Sequence, residues 1–565
     1  MAASMAQNHS RGHTEQPKRE IELCFCCART RLDAARAGRI RDLLRAGVDW
    51  PEFVASAIQH GLAPLVFEHL NAVGGDLVPA PWLGALRKSA EDVGKTSLVL
   101  LSEALNLCER FDAEQISLIP YKGPVLSWLA YKSLVHRASV DLDFVLEQRH
   151  IPRAVSLLTS VGYRAGFDSR EAHAGERKHA PGQYWFYRLP QKIHVELHTE
   201  RTLRYFPVPL DLEGMSRRQI SLELGGRTLR TFSVEDTLLM ICVHGAKHLW
   251  NRLLWICDVA ELIQSQPVNW DQAERIATAA KSSRLLRLGV FLAHDLLEAP
   301  VPRHILEAAE SDMRICWLAA QVRKHLFDNG SAQLGVLKRA AFRVRSRDTL
   351  TEGFGHLWRL ALRPTETDRK KTSLPEPLLA LSRPWRLLRR YGSGFRRRAG
   401  PNLAPFIPIP TPMIEPLLRF AEIGPGDVFY DLGCGDGRVV IAAAERFGIR
   451  AVGIDFDSRR IAEARRTARR SASEPLVEFR LQDAGETSMA DATVVYLYLG
   501  SDGNLRVMDR LLSKLRPGAR IVSCQFPLVG WSPDKKEQVA HADGTATTLF
   551  LWKVPEPGKA RRKQA

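Results

Sequence analysis

The run Tyr430-Asp431-Leu432-Gly433-Cys434-Gly435-Asp436-Gly437-Arg438 puts three glycines on alternate positions. Glycine lets a backbone turn through positive φ and approach a ligand where a side chain would clash. The run falls between a predicted strand, 427–430, and a predicted helix, 438–447, so the turn opens onto the exposed N–H groups of a helix start. Asp431 stands two residues before Gly433, and the spacing is G-x-G-x-G, not the G-x-G-x-x-G of dinucleotide-binding turns. A second predicted strand, 450–455, ends in Asp455, where an acid can accept hydrogen bonds from ribose hydroxyls.

A second constellation lies far upstream. In Arg137-Ala138-Ser139-Val140-Asp141-Leu142-Asp143-Phe144-Val145-Leu146 a strand is predicted, with Asp141 and Asp143 on one face. Two neighbouring carboxylates repel unless a cation lies between them, which suits Mg2+. His194, Glu196 and His198 alternate in the same way, so Glu196 is the predicted third acid, and Lys122-Gly123 precedes an amphipathic helix. His244 and His248 are one helical turn apart, without a His-Glu-x-x-His pattern. With Trp250, Trp255 and Asp258 nearby, they read as a packed helix in which Asp258 orients one imidazole.

The elements that position these residues follow from periodicity. Strands are predicted at 476–481, 492–499 and 520–523, a helix at 505–515, and a terminal antiparallel pair within 538–554. The strand at 492–499, fourth in chain order of this half, is apolar on both faces, as in a buried parallel sheet. Strands alternating with helices imply a doubly wound sheet. Prolines and glycines crowd residues 364–412 and mark a boundary. The predicted organisation is a disordered N-terminus at 1–20, an α+β region with helical extensions at 21–391, a basic Pro/Gly linker at 392–404, a doubly wound α/β region at 405–555 and a basic tail at 556–565.

Composition sets bounds. Hydrophobic residues make up 45% and charged residues 25%, values of a globular chain long enough for more than one core. There is no 18-residue apolar run and no apolar h-region near the start, so neither a membrane span nor a secretory signal is expected, and a cytoplasmic location is the default. Lys and Arg total 80 against 63 acids, a formal net charge of +17. Seven arginines cluster from Arg383 to Arg398. Such a run is either an exposed linker or an electrostatic contact for nucleic acid. The nine cysteines lack zinc-site spacing and read as reduced structural thiols, Cys24 and Cys27 packing inward.

Both constellations resemble known families. The glycine turn resembles motif I of class I S-adenosylmethionine-dependent methyltransferases. With Pro408-Ile409-Pro410-Thr411-Pro412 and Val495-Tyr496-Leu497-Tyr498-Leu499, residues 405–553 are similar to the mitochondrial ATP-synthase c-subunit lysine methyltransferases. The resemblance implies that Asp431, Gly433, Gly435 and Gly437 surround the methionine part of S-adenosylmethionine, and that Asp455 and Asp483 surround its adenosine. It also implies that the Pro-Thr-Pro segment and Tyr496 line the pocket, Tyr496 as the catalytic candidate; the acceptor is a protein lysine or a small molecule. No Asn-Pro-Pro-Tyr box follows the fourth strand, which lowers amide and adenine acceptors.

Residues 22–391 resemble the uncharacterised bacterial nucleotidyltransferases of the polymerase-β-like superfamily. The likeness rests on Lys122-Gly123, Arg137-x-x-x-Asp141-x-Asp143, Glu196-Leu197-His198 and the His244–Asp258 helices. It implies that Asp141, Asp143 and Glu196 hold Mg2+ and that Lys122 and Gly123 contact an NTP. Lys-Gly stands in place of the superfamily's Gly-Ser, and Glu196 where Asp is commoner. The expected protein is thus bimodular, a Mg2+-dependent nucleotidyltransferase-like module joined to a methyltransferase. The alternative is a methyltransferase whose N-terminal fold is a noncatalytic binding module.

Overall fold

The structure is a computed structural model that describes residues 18–167, 182–188, 193–199, 208–327, 336–349, 351–355, 409–471, 473–484, 486–499, 504, 514–528, 531–540 and 546–555. The basic stretch 383–398, the linker 392–404, the tail 556–565 and most of the predicted helix 505–515 lie outside these residues. Among the described residues no helix is long and apolar enough to cross a membrane.

The N-terminal half holds a five-stranded mixed sheet. Its strands are β1 (Ile119–Pro120), β2 (Leu142–Val145), β3 (Arg164–Ala165), β4 (Gln183–Arg188) and β5 (Ile193–His198), in spatial order β1-β2-β5-β4-β3. β2 and β5 run parallel, with Asp143 opposite Glu196 and Val145 opposite His198. One sheet face packs on the 34-residue helix Ala80–Ala113 through Leu107, Phe111, Phe144 and Val195. A hairpin, β6 (Ile220–Leu224) and β7 (Arg227–Thr231), turns through Gly225 and Gly226, both at positive φ, as a two-residue hairpin turn demands.

The larger N-terminal core is helical. The helices Val234–Lys247, Leu253–Ser265 and Ser283–Leu297 pack together around Trp250, which is fully buried. Cys24 and Cys27 point into this core, and all nine cysteines are free thiols.

The predicted strand 137–146 is shorter than its sequence suggests: only Leu142–Val145 pairs. Arg137 turns away from the sheet into the helical core, where Asp258 receives it, and Val140 is exposed. A buried guanidinium needs a carboxylate more than the five residues 137–141 need a strand ladder.

The C-terminal sheet has seven strands: β8 (Val428–Leu432), β9 (Arg450–Asp455), β10 (Val477–Leu481), β11 (Val494–Leu497), β12 (Arg520–Cys524), β13 (Lys535–Ala540) and β14 (Ala546–Lys553). Their order is β10-β9-β8-β11-β12-β14-β13, with β8 to β12 parallel and β14 antiparallel to both its neighbours. The chain works outward from β8 to β10, then crosses back to β11. The strand order therefore reverses between β8 and β11, and the crevice beyond their carboxyl ends is where such sheets bind ligands. Helix Arg438–Phe447 begins there, with the boundaries its sequence predicts.

Candidate active sites

At the C-terminal switch point the turn after β8 takes positive φ at each glycine: +87° at Gly433, +54° at Gly435 and +80° at Gly437. A Cβ at Gly433 would lie 2.6 Å from a Leu499 methyl, and one at Gly437 would lie 2.7 Å from the Phe479 ring. Both turn glycines are thus demanded by conformation and by packing. The turn is braced from below by Asp455 at the end of β9. Its Oδ2 accepts the Gly435 N–H at 3.0 Å and its Oδ1 accepts the Asp457 N–H at 2.8 Å. Each oxygen keeps a lone pair, so shaping the turn leaves Asp455 able to accept ribose hydroxyls as well.

Asp431 is buried at the end of β8, directly opposite Tyr496 on β11. Burial, and then the charges of Asp455 and Asp436, push its carboxyl well above the usual range. A buried carboxyl facing two further acids is poised for a ligand that brings positive charge. S-adenosylmethionine, with its sulfonium and amino groups and its ribose hydroxyls, fits this donor set and this side-chain-free cradle. Arg438 joins the Pro-Thr-Pro segment to the turn: its Nη2 meets Asp436 Oδ2 at 2.5 Å and its Nη1 donates to the Ile409 carbonyl at 3.1 Å.

Tyr496 is buried, and its hydroxyl lies next to the Cys524 thiol. Burial, and then the Cys524 thiol and Asp431, raises its pKa well above the ordinary value. Asp483 is half-buried just past β10, beyond Asp455 at the end of β9, so both residues predicted to surround the adenosine lie at one end of the sheet.

The N-terminal site is built across β2 and β5. Asp143 is nearly inaccessible; its Oδ1 receives the Lys122 ammonium at 3.2 Å and His198 Nε2 at 2.8 Å. Burial would raise its pKa, but Lys122 and His198 outweigh that and hold the carboxyl below the usual range. Burial would raise Glu196 too, but the His198 hydrogen bond together with the His198 and Lys122 charges leaves it lowered, and Gln183 Nε2 fixes its Oε2 at 2.6 Å. Asp141, one residue before β2, is pushed up to about 6 by burial and then by the Asp143 charge. Gly123, at φ +57°, passes so close to the strand entrance that a Cβ there would lie 3.2 Å from the Asp141 carbonyl oxygen. That approach brings Lys122 onto Asp143.

Asp143, Glu196 and His198 are the residues whose ligand atoms converge, all within 4.8 Å of one another. Asp141, predicted as a third ligand, lies outside that set but close enough to feel both acids. Sequence reasoning placed His198 on the correct face without giving it a role; the signal was its i, i+2 spacing from Glu196. It also gave Lys247 no role. His244, Lys247 and His248, on the Val234–Lys247 helix and its cap, all feel the Lys122 charge, and burial lowers the pKa of each, His248 to about 4. The two imidazoles do pack on each other and on Trp255, with ring centroids 4.7–5.2 Å apart. Asp258 orients neither of them. It accepts Arg137 Nε and Nη2 at 2.7 and 2.9 Å and the Tyr131 hydroxyl at 2.8 Å.

Fold and cradle together define a Rossmann-like methyltransferase unit behind a nucleotidyltransferase-like one. Two family models match the chain: an uncharacterised nucleotidyltransferase over residues 46–298 and an ANTKMT methyltransferase domain over residues 431–535. A protein-lysine N-methyltransferase of Saccharolobus islandicus is 33% identical over 27% of this chain and 94% of its own length. The chain belongs to that methyltransferase family. The human ATP-synthase c-subunit lysine N-methyltransferase is 30% identical over 23% of this chain, which spans 55% of that protein. Among solved structures, an RNA methyltransferase of Salinibacter ruber in complex with S-adenosyl-L-homocysteine is 37% identical over 28% of this chain and 100% of its own, with a TM-score of 0.26.

Proposed function

We propose that the C-terminal unit transfers methyl groups from S-adenosylmethionine to a lysine amine of a protein, and that the N-terminal unit is a metal-dependent nucleotidyltransferase. The observation that carries the first reading is the glycine cradle with Asp455 beneath it and Asp431 at its mouth. Kinship with lysine methyltransferases supports the choice of acceptor. Bound in the cradle, the sulfonium would supply a methyl group to an incoming amine nitrogen. The chain's own part is positional: the turn holds the methionine end, Asp455 the ribose, and Tyr496 with the Ile409–Thr411 segment forms the wall that excludes water from the reacting pair.

The test is transfer of a radiolabelled methyl group by the full chain onto cell extract, followed by mass spectrometry. Label in methyl-lysine of a protein is the expected outcome. Label confined to RNA or to small molecules would overturn the acceptor.

For the N-terminal unit, Lys122, Asp143, Glu196 and His198 meet at one point, and Lys247 lies close enough to feel the charges of Glu196, Asp143 and Asp141. Asp143 and Glu196 would hold the metal, with Asp141 beside them, and Lys122 and Lys247 would face the phosphates of an NTP. Asp143→Asn is expected to lower metal-dependent NTP turnover by roughly 100-fold or more, read as pyrophosphate release. Unchanged NTP binding with no turnover even in the wild type would instead favour the noncatalytic module.

A further inference from the structure

The N-terminal carboxylates were expected to form an all-oxygen site for Mg2+. The side chains that converge are instead two carboxylates and one imidazole. His198 Nε2 lies 2.8 Å from Asp143 Oδ1 and 3.5 Å from Glu196 Oε2. Ligand atoms bound at about 2.1 Å and at right angles sit about 3.0 Å apart, and tetrahedral ones about 3.4 Å apart. Both separations are therefore close to what a shared ion imposes.

The imidazole is held for this purpose. Its ring packs edge-on against Tyr121, with centroids 5.8 Å apart at 82°. Its side chain is 3% exposed, and among the described residues Nδ1 has no hydrogen-bond partner. Its Nε2 is directed at the two acids, 2.8 Å from Asp143 Oδ1 and 3.5 Å from Glu196 Oε2. Gln183 pins Glu196 from outside, the kind of support that orients a ligating carboxylate. Lys122 supplies a cation at the same Asp143 oxygen, which marks that oxygen as a seat for positive charge.

Mg2+ is hard, prefers oxygen and keeps its waters, whereas imidazole suits first-row transition ions; Mn2+ accepts both ligand types. From this donor set we infer that the N-terminal site binds a divalent transition-metal ion, Mn2+ foremost, through Asp143, Glu196 and His198. The inference rests on the proposed reading of the N-terminal unit as metal-dependent and specifies the ion that reading requires.

The test is binding, not turnover. The full chain is titrated with Mn2+ alone and with Mg2+ alone by calorimetry, and the Mn2+-loaded wild type is examined by electron spin-echo spectroscopy. One Mn2+ per chain is expected, bound roughly 10-fold or more tighter than Mg2+, with a nitrogen coupling from the directly bound imidazole. His198→Asn should remove most of that preference. Mn2+ bound without nitrogen coupling, or with the same preference in His198→Asn, overturns the role of His198 while leaving a carboxylate site in place. If neither ion binds the wild type, the metal-dependent reading itself fails. The spectrum needs no variant, so a misfolded His198→Asn chain does not spare the inference.

Discussion

Gly437→Val is expected to abolish cofactor binding by the methyltransferase unit. At φ +80° a branched side chain costs about 1–2 kcal/mol in backbone strain. Its Cβ would also stand 2.7 Å from Phe479 Cζ and 2.8 Å from Ala464 Cβ, and forced overpacking of this kind costs about 1–3 kcal/mol. The chain can relieve both only by opening the turn that Asp455 holds through Gly435, which is the surface the cofactor must meet. A loss of roughly 100-fold in S-adenosylmethionine affinity corresponds to about 2.7 kcal/mol, within what the turn must give up. Thermal melts with and without S-adenosylmethionine read this directly, since the wild type is stabilised by a ligand that binds only the folded state. A variant that melts higher on adding S-adenosylmethionine, by as much as the wild type, would show that the turn is not the binding surface.

The second large effect is expected at a residue that touches no substrate. Asp258→Ala leaves the Arg137 guanidinium buried without its carboxylate and the Tyr131 hydroxyl without its acceptor. Arg137 and Asp258 side chains are 8% and 3% exposed, so water does not replace the lost partner. Removing one member of such a pair costs about 3–5 kcal/mol, a large share of a domain's stability. Replacing both, as Arg137→Met with Asp258→Leu, should cost much less than the sum of the two single changes. Urea unfolding of the three variants measures this; additive costs would mean that the pair is not the source of the effect. Arg137 lies between the Gly123–Tyr131 helix and β2, so the single variants should also disturb the Asp143 site.

Much of the C-terminal half was legible because its information is local. Alternating glycines, an acid at the end of the next strand and apolar runs at strand spacing each constrain the backbone within a few residues. The boundaries of Arg438–Phe447 and of β9 follow from them directly. The same reasoning read too far at 137–146, where an alternating pattern looked like one strand. The tertiary demand of Arg137 for Asp258, 121 residues away, cut it to four residues. Asp258 was likewise assigned to a histidine because both lay on neighbouring helices, whereas the carboxylate satisfies the stronger and more deeply buried charge.

Consecutive residues alone were enough to define the glycine turn, the sheet that carries it and the two strands that bear Asp143 and Glu196. These rest on backbone conformation and on two-residue periodicity, both of which are written in short stretches of chain. Which side chains actually meet depended on the fold. The parallel register of β2 and β5 sets Asp143 against Glu196 and brings His198, not Asp141, into the converging set. The packing of helix Val234–Lys247 adds Lys247, which no motif announced. Ligand convergence depends on ångström distances between residues far apart in the chain, and spacing along one strand contains no record of them.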